Sequence, residues 1–224
     1  MKQCLVITVD GPAGSGKSTV SRLLAERLSC SYLDTGALYR AVALKALREG
    51  IDADDTSGLE ALCGRTRVTL RGGPGGATRV FVDDEDVTLL IRAPEVSMLA
   101  SQVSAVAAVR QALLPIQREA AATGGIVAEG RDMGTVVFPD APFKFFLTAS
   151  IEERSRRRYL ELVEKDPGIS VDDVREDAAR RDRRDSDRPV APLRVAEGAI
   201  VIDSTNLSVS EVVEKMLGII RADR

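Results

Sequence analysis

Neither histidine nor tryptophan occurs in this 224-residue chain, aromatic residues make up only 4%, and there are three cysteines. The missing histidine removes the usual general base near neutral pH and the commonest metal ligand. Serine-hydrolase triads and histidine-based metal sites are therefore excluded. Scarce aromatics predict an aliphatic core. Cys4, Cys30 and Cys63 are odd in number and lack C-x-x-C spacing, which fits a reducing compartment rather than a disulfide framework. No apolar run approaches the ~20 residues needed to cross a bilayer. Charged Lys2 leads directly into a short apolar segment, unlike a secretion signal. A cytoplasmic protein with no membrane partner is expected.

Hydrophobic content of 44% and charged content of 29% are ordinary for a globular protein. The length suits one α/β domain with room for an insertion. A net charge of −3 argues against a general binder of polyanions. Yet arginine supplies 25 of the 31 basic residues, and its planar fork grips phosphate bidentately. A compositional bias would account for that abundance equally well.

The most specific segment is Gly11-Pro12-Ala13-Gly14-Ser15-Gly16-Lys17-Ser18, followed by Thr19. It fits G-x-x-x-x-G-K-[ST], a loop whose backbone N–H groups form a nest for polyphosphate. The lysine of such a loop reaches the β- and γ-phosphates, and the following hydroxyl meets a phosphate-bound Mg²⁺. Context supports the match. The apolar run Leu5-Val6-Ile7-Thr8-Val9 precedes it, and the helical pattern Val20, Leu23, Leu24, Leu28 follows. The loop predicts a bound nucleoside triphosphate and leaves the phosphate acceptor open.

Downstream, Ser31-Tyr32-Leu33 reads as a second strand, and a helix is predicted over about 37–48, with Thr35 as a plausible N-cap. Strands and helices that alternate in this way predict a parallel sheet covered on both faces, with ligands at the carboxyl ends of its strands. The pattern changes near Gly64. Val68-Thr69-Leu70 and Arg79-Val80-Phe81-Val82 flank a loose, mobile glycine turn at 72–76 and predict an antiparallel hairpin. A helix follows near Pro94. Residues 64–103 therefore read as an insertion into a core made of 1–63 and 104–224. The core resumes with a helix over about 105–122, strands at 126–128 and 143–147, and charged helices over about 151–165 and 171–184. A strand at 200–202 and a helix over about 209–220 complete it.

Three clusters bear on the acceptor. In the first, Arg40 follows Asp34-Thr35-Gly36 by about a turn; taken alone it is most simply a solvated arginine. In the second, Glu129-Gly130-Arg131-Asp132-Met133-Gly134 follows a buried strand. There Arg131 would neutralise phosphate charge and Asp132 would accept hydrogen bonds from a base or sugar, with an ion pair inside a tight turn as the plainer alternative. The third holds Arg154, Arg156, Arg157 and Arg158, then Arg180, Arg181, Arg183, Arg184 and Arg188, interleaved with acids. The mixed field disfavours nucleic acid. It suits either a salt-bridged helix pair or a hinged lid that closes on a transferring phosphoryl group.

Five blocks resemble, in order, the bacterial cytidylate kinases of the nucleoside monophosphate kinase superfamily. They are Asp10 to Thr19, Asp34 to Arg40, Ala100 to Val103, Gly130 to Ala141, and Arg181 to Arg188 running into Ala191-Pro192-Leu193. The run Gly130-Arg131-Asp132-Met133-Gly134-Thr135-Val136-Val137-Phe138-Pro139 is far more specific than the phosphate loop. The resemblance implies a three-layer P-loop NTPase fold with a small antiparallel β insertion that binds the monophosphate and a helical lid over about 151–170. It also implies transfer of a phosphoryl group from MgATP to CMP or dCMP by a monomer. ATP would lie on residues Gly11 to Thr19 with Arg154 and Arg158, and Ser18 would meet the Mg²⁺. Arg40 and Arg131 would hold the CMP phosphate. Thr35, Arg110, Asp132 and Arg188 would read cytosine, while Ser101, Arg181 and Asp185 would hold the sugar. Lys17, Arg131, Asp132 and Arg157 would form the catalytic set. Glu129 receives no role.

The chemistry accommodates the absence of histidine, because a phosphate oxygen is already anionic and needs no strong base. Positioning and charge neutralisation then carry the reaction. Rival readings are a kinase for shikimate, UMP or a coenzyme precursor, and an NTP-driven nucleic-acid switch. A GTPase is disfavoured because no N-K-x-D sequence occurs.

Overall fold

The computed structural model describes residues 5–72, 78–122, 124–164 and 167–222. Positions 73–76 of the expected glycine turn, and Cys4, lie outside the described residues. Five parallel strands form the central sheet: β1 (Val6–Asp10), β2 (Ser31–Asp34), β6 (Ile126–Gly130), β7 (Phe143–Thr148) and β8 (Ile200–Asp203), in the order β2-β6-β1-β7-β8. Strand β6 is buried along its whole length, as expected for an inner strand with both faces covered. The carboxyl ends Asp10, Asp34, Gly130, Thr148 and Asp203 share one rim. The loops that leave this rim build the site.

One face of the sheet is covered by α1 (Lys17–Leu28) and α8 (Val209–Ala222). Val20 and Leu24 of α1 meet Val212, Val213, Met216, Leu217 and Ile220 of α8 over Ile7, Val9, Phe145 and Leu147. This packing is aliphatic apart from Phe143 and Phe145, in line with the composition. On the opposite face, Leu33, Ile126 and Ala128 pack on Met133 and Val137.

A second core surrounds α2 (Thr35–Glu49). Leu38, Val42 and Ala46 pack against α3 (Thr56–Arg65), α4 (Pro94–Val103) and α5 (Ala107–Glu119). Val68, Val80 and Val82 join this core from a three-stranded antiparallel sheet of β3 (Val68–Gly72), β4 (Thr78–Val82) and β5 (Glu85–Asp86). The expected antiparallel hairpin is present, with Val68 opposite Val82 and Leu70 opposite Val80.

Local differences from the sequence reading have simple causes. Thr35 is not the N-cap of α2. Asp34 is: its carboxylate accepts from the Ala37 N–H at 3.1 Å, and a charged acceptor also favours the positive end of the helix. Helix α3, absent from the sequence reading, is capped by Asp55, which accepts from the Gly58 N–H at 2.8 Å. It includes Gly64, the residue read as a boundary. Helix α6 (Ile151–Leu162) stops short of the range expected, and α7 (Val171–Asp187) runs three residues beyond it. A Ser170–Asp173 capping box starts α7.

At Gly11 the phosphate loop leaves β1 with φ 148°, and a Cβ there would lie 2.0 Å from the Leu147 carbonyl oxygen. The clash is with backbone of β7, the neighbouring strand. Gly11→Ala is therefore expected to destabilise the fold by about 2–4 kcal/mol. Urea unfolding of the two proteins checks this, and an unchanged midpoint would show that β7 yields.

Candidate active site

The phosphate loop wraps from Gly11 to the start of α1, where Gly16 takes the left-handed conformation (φ 86°). That conformation turns the first free N–H groups of the helix toward the cleft, where they and the helix dipole attract anions. Lys17 is buried and folds back on the loop, donating to the Pro12 carbonyl at 2.6 Å and to Ser15 Oγ at 3.3 Å. Burial, and next the Arg131 guanidinium, push its pKa down to about 7. The cleft beside it encloses about 700 Å³ and is lined by the loop, Asp34 to Gly36, Arg40, Ser101, Glu129 to Asp132, the arginines of α6, Arg181 and Arg188.

Two acids on the central strands organise the rim. Asp10, at the end of β1, accepts from the N–H groups of Met133 and Gly134, both at 2.8 Å. It thereby fixes the wide turn after Arg131-Asp132 against the strand that carries the phosphate loop. Burial outweighs these hydrogen bonds and lifts its pKa to about 6. Glu129 sits opposite Val9 on β6 and is 4% exposed. Its Oε1 accepts from the Tyr32 hydroxyl at 2.6 Å, while Oε2 has no hydrogen-bond partner among the described residues. Burial, then Asp34, raise its pKa, whereas Lys17, Tyr32 and Ser18 favour the carboxylate. Glu129 is the site residue that the sequence reading left unassigned. Its signal was position, at the end of a buried strand whose neighbour carries the phosphate loop.

The acceptor side gathers most of the other expected residues. Asp132 is 2% exposed. It pairs with Arg110 Nη2, and Arg188 Nη2 lies 4.0 Å from its other oxygen. Arg131 pairs with Asp185 at 2.7 Å, not with its neighbour Asp132, so the plain turn ion pair does not form. Asp185 and Glu129 hold Arg131 charged against its burial. Arg40 is half-buried rather than solvated and pairs with Asp34 at 2.7 Å. Thr35 donates to the Glu129 carbonyl at 2.7 Å. Ser101 accepts from Arg184 at 3.0 Å, and Arg181 pairs with Asp177 at 2.9 Å. Arg40 Nε, Glu129 Oε2 and Arg188 Nη2 are all buried without hydrogen-bond partners among the described residues, and all three residues line this one cleft. Buried polar atoms are nearly always paired, so three orphans together mark where a polar ligand belongs.

The arginines of α6 differ in how far they are already engaged. Arg154 is buried, with its fork on the carbonyls of Ala149 and Ala13 and on both oxygens of Asp182. Arg157 bridges Glu153 and the Ser204 carbonyl. Arg158 pairs with Glu161 near the surface. The first two are thus bound to the core in this state, while Arg158, like Arg156, projects outward.

The residues beside Ser18 suit Mg²⁺, which takes oxygen ligands and usually keeps several waters when it binds with a nucleotide. Glu129 Oε2 is an orphaned, buried oxygen next to the loop hydroxyl. Among the described residues no group of three or more acidic or cysteine side chains could cage a metal alone, as expected for a cation that arrives with phosphates. No single helix among them is long and apolar enough to cross a membrane.

A parallel α/β sheet, a phosphate loop at its rim and an arginine-lined cleft beside it define a phosphate-loop kinase. The description of the cytidylate kinase family matches residues 7–222, and the chain belongs to that family. It is 50% identical to a cytidylate kinase of Geobacter sulfurreducens over 97% of this chain and 93% of that one. It is 48% identical to a cytidylate kinase of Carboxydothermus hydrogenoformans over 96% of each. A solved structure of an uncharacterized protein from Eubacterium ventriosum shares the fold, with TM-score 0.52 and 12% identity over 97% of this chain and 98% of that chain.

The depressed pKa of Lys17 has a measurable consequence. Polyphosphate would restore its ordinary basicity, so nucleotide binding should take up a proton. The uptake should approach one as pH rises from about 7 to 8, where the free enzyme is increasingly neutral at this position. Calorimetry of ADP binding in buffers of different ionisation enthalpy measures it. Equal uptake by a Lys17→Met variant would assign the proton elsewhere.

Proposed function

We propose that the enzyme transfers the γ-phosphoryl group of MgATP to CMP or dCMP, giving ADP and CDP or dCDP. The observation that carries this reading is the buried constellation of Asp132, Arg110 and Arg188 at the acceptor side of the cleft. Cytosine offers a donor amine beside ring acceptors. A fixed carboxylate accepts a hydrogen bond from the amine while flanking guanidinium groups donate to N3 or O2. Uracil reverses the donor and acceptor at the two positions and would set its N3–H against an arginine. A site built to satisfy one such pattern rejects the other strongly.

In this reading Arg40 and Arg131 hold the acceptor phosphate, Ser101, Arg181 and Asp185 the sugar, and Thr35 the base edge. Gly11 to Thr19 cradle the ATP phosphates, and Arg154, Arg157 and Arg158 gather over them. Arg157 and Lys17 exchange their present partners for phosphoryl oxygens. Ser18 and Glu129 would hold the Mg²⁺, which supplies charge neutralisation across the β- and γ-phosphates. The attacking oxygen belongs to a phosphate and is already anionic, so no side chain needs to remove a proton. Residues 64–103 serve as the acceptor-side subdomain and about 151–170 as the lid that excludes water. One copy of the chain supplies every residue invoked, in keeping with a monomer.

An ADP-release assay with CMP, dCMP, UMP, AMP and shikimate tests the acceptor. Turnover with the two cytidylates well above the rest is expected, and preference for shikimate or AMP would overturn the reading. Lys17→Ala should lower kcat by about 100-fold or more with little change in the KM for CMP. Asp132→Asn should raise the KM for CMP by about 10-fold or more while the KM for ATP holds. The opposite pattern would move Asp132 to the donor side.

A further inference from the structure

Glu129 has three side-chain torsions and a cation close by. Left to itself, its carboxylate would be drawn to Lys17, the ammonium that phosphate needs. What prevents this is on the next strand. Tyr32 pairs with Val127 and Asp34 with Glu129 in the β2–β6 register, so the tyrosine starts one pleat behind the acid on the same face. Its long side chain spans the offset and donates to Oε1 at 2.6 Å.

Tyr32 is itself held from both sides. The Arg22 guanidinium of α1 lies 5.5 Å from its ring centroid, and its carbonyl accepts from Thr78 of the hairpin at 2.9 Å. Burial, with Glu129 and Asp34 close by, raises the pKa of its phenol, so the hydroxyl keeps its proton and can only donate to the carboxylate. Oε1 is thereby fixed and Oε2 is left over, unpartnered, in the cleft that Lys17 and Ser18 also line.

We propose that Tyr32 is a positioning residue of the donor site: its hydroxyl tethers Glu129 so that Oε2 stays available to the Mg²⁺-nucleotide and Lys17 stays free for phosphate. This rests on the reading that Glu129 serves the donor side. Tyr32→Phe keeps the ring, its volume and the contact with Arg22 while removing only the tether. The variant should lose about 10-fold in kcat at unchanged KM for CMP and bind Mn²⁺ about 10-fold more weakly in its ADP complex. Electron paramagnetic resonance of the Mn²⁺ reads that affinity without turnover. Aspartate is shorter, with one torsion fewer, and has no need of the tether. In a Glu129→Asp background Tyr32→Phe should therefore change neither quantity. Equal losses in both backgrounds, or full kcat and Mn²⁺ affinity in Tyr32→Phe alone, would overturn the proposal. A Glu129→Gln variant with normal kcat and Mn²⁺ affinity would instead remove the reading of Glu129 on which it rests.

Discussion

Lys17, buried, and Arg131, half-buried, share one cleft and repel each other, and the rest of the site is arranged around that repulsion. On the proposed reading these cations receive several phosphate charges, and they are too many when the phosphates are away. The chain supplies its own substitutes: Asp185 for Arg131, Asp34 for Arg40, Asp182 for Arg154 and Glu153 for Arg157. Lys17 has no carboxylate in direct contact among the described residues; burial, and then Arg131, lower its pKa, and it folds onto the loop carbonyl. This explains how a chain so rich in arginine has a net charge of only −3. Its acids are distributed as partners for buried cations, not merely as solubilising charge.

The same constraint explains which parts of the site were legible in sequence. The phosphate loop acts through its own backbone and the next side chain, so eight consecutive residues disclose it. The parallel sheet was legible because buried inner strands read as apolar runs. Partnerships between distant acids and arginines were not. Arg131 next to Asp132 suggests a local pair, yet the turn after β6 sends one to Asp185 and the other to Arg110. Glu129 escaped for a related reason, since its meaning comes from the neighbouring strand β1, which lies far away in sequence. At the start of α2, Asp34 and Thr35 are both good caps on paper. The strand pairing decides between them by turning the threonine hydroxyl to the Glu129 carbonyl. Helix α3 begins in an acidic, glycine-containing stretch that resembles a loop until its Leu59 and Leu62 are seen fully buried.

Two cores meet at the cleft, and this arrangement separates the tasks of the rim. The sheet core under α1 and α8 is continuous with the phosphate loop, whose shape depends on close contact with β7 at Gly11. The second core, around α2, carries Arg40, Ser101 and Arg110 on three different helices. On the proposed reading, residues tied to the first core can remain fixed while those tied to the second adjust to an acceptor. Asp10 fixes the rim between them, because its carboxylate joins the loop strand to the turn that follows Arg131 and Asp132.

Histidine-free chemistry also makes sense of the engaged state of the arginines. A phosphoryl-transfer site that held its cations bare would attract ATP and water together, and water is also a phosphoryl acceptor. Here Arg131, Arg154 and Arg157 are each occupied by a carboxylate or carbonyl. On the proposed reading, a nucleotide must outcompete those partners to recruit them. A second polyanion at the acceptor side adds negative charge next to Arg131, and so tilts that exchange toward phosphate. On the proposed reading, the charge that stabilises transfer is assembled by the two substrates together, through the same ion pairs that stabilise the protein when neither is bound.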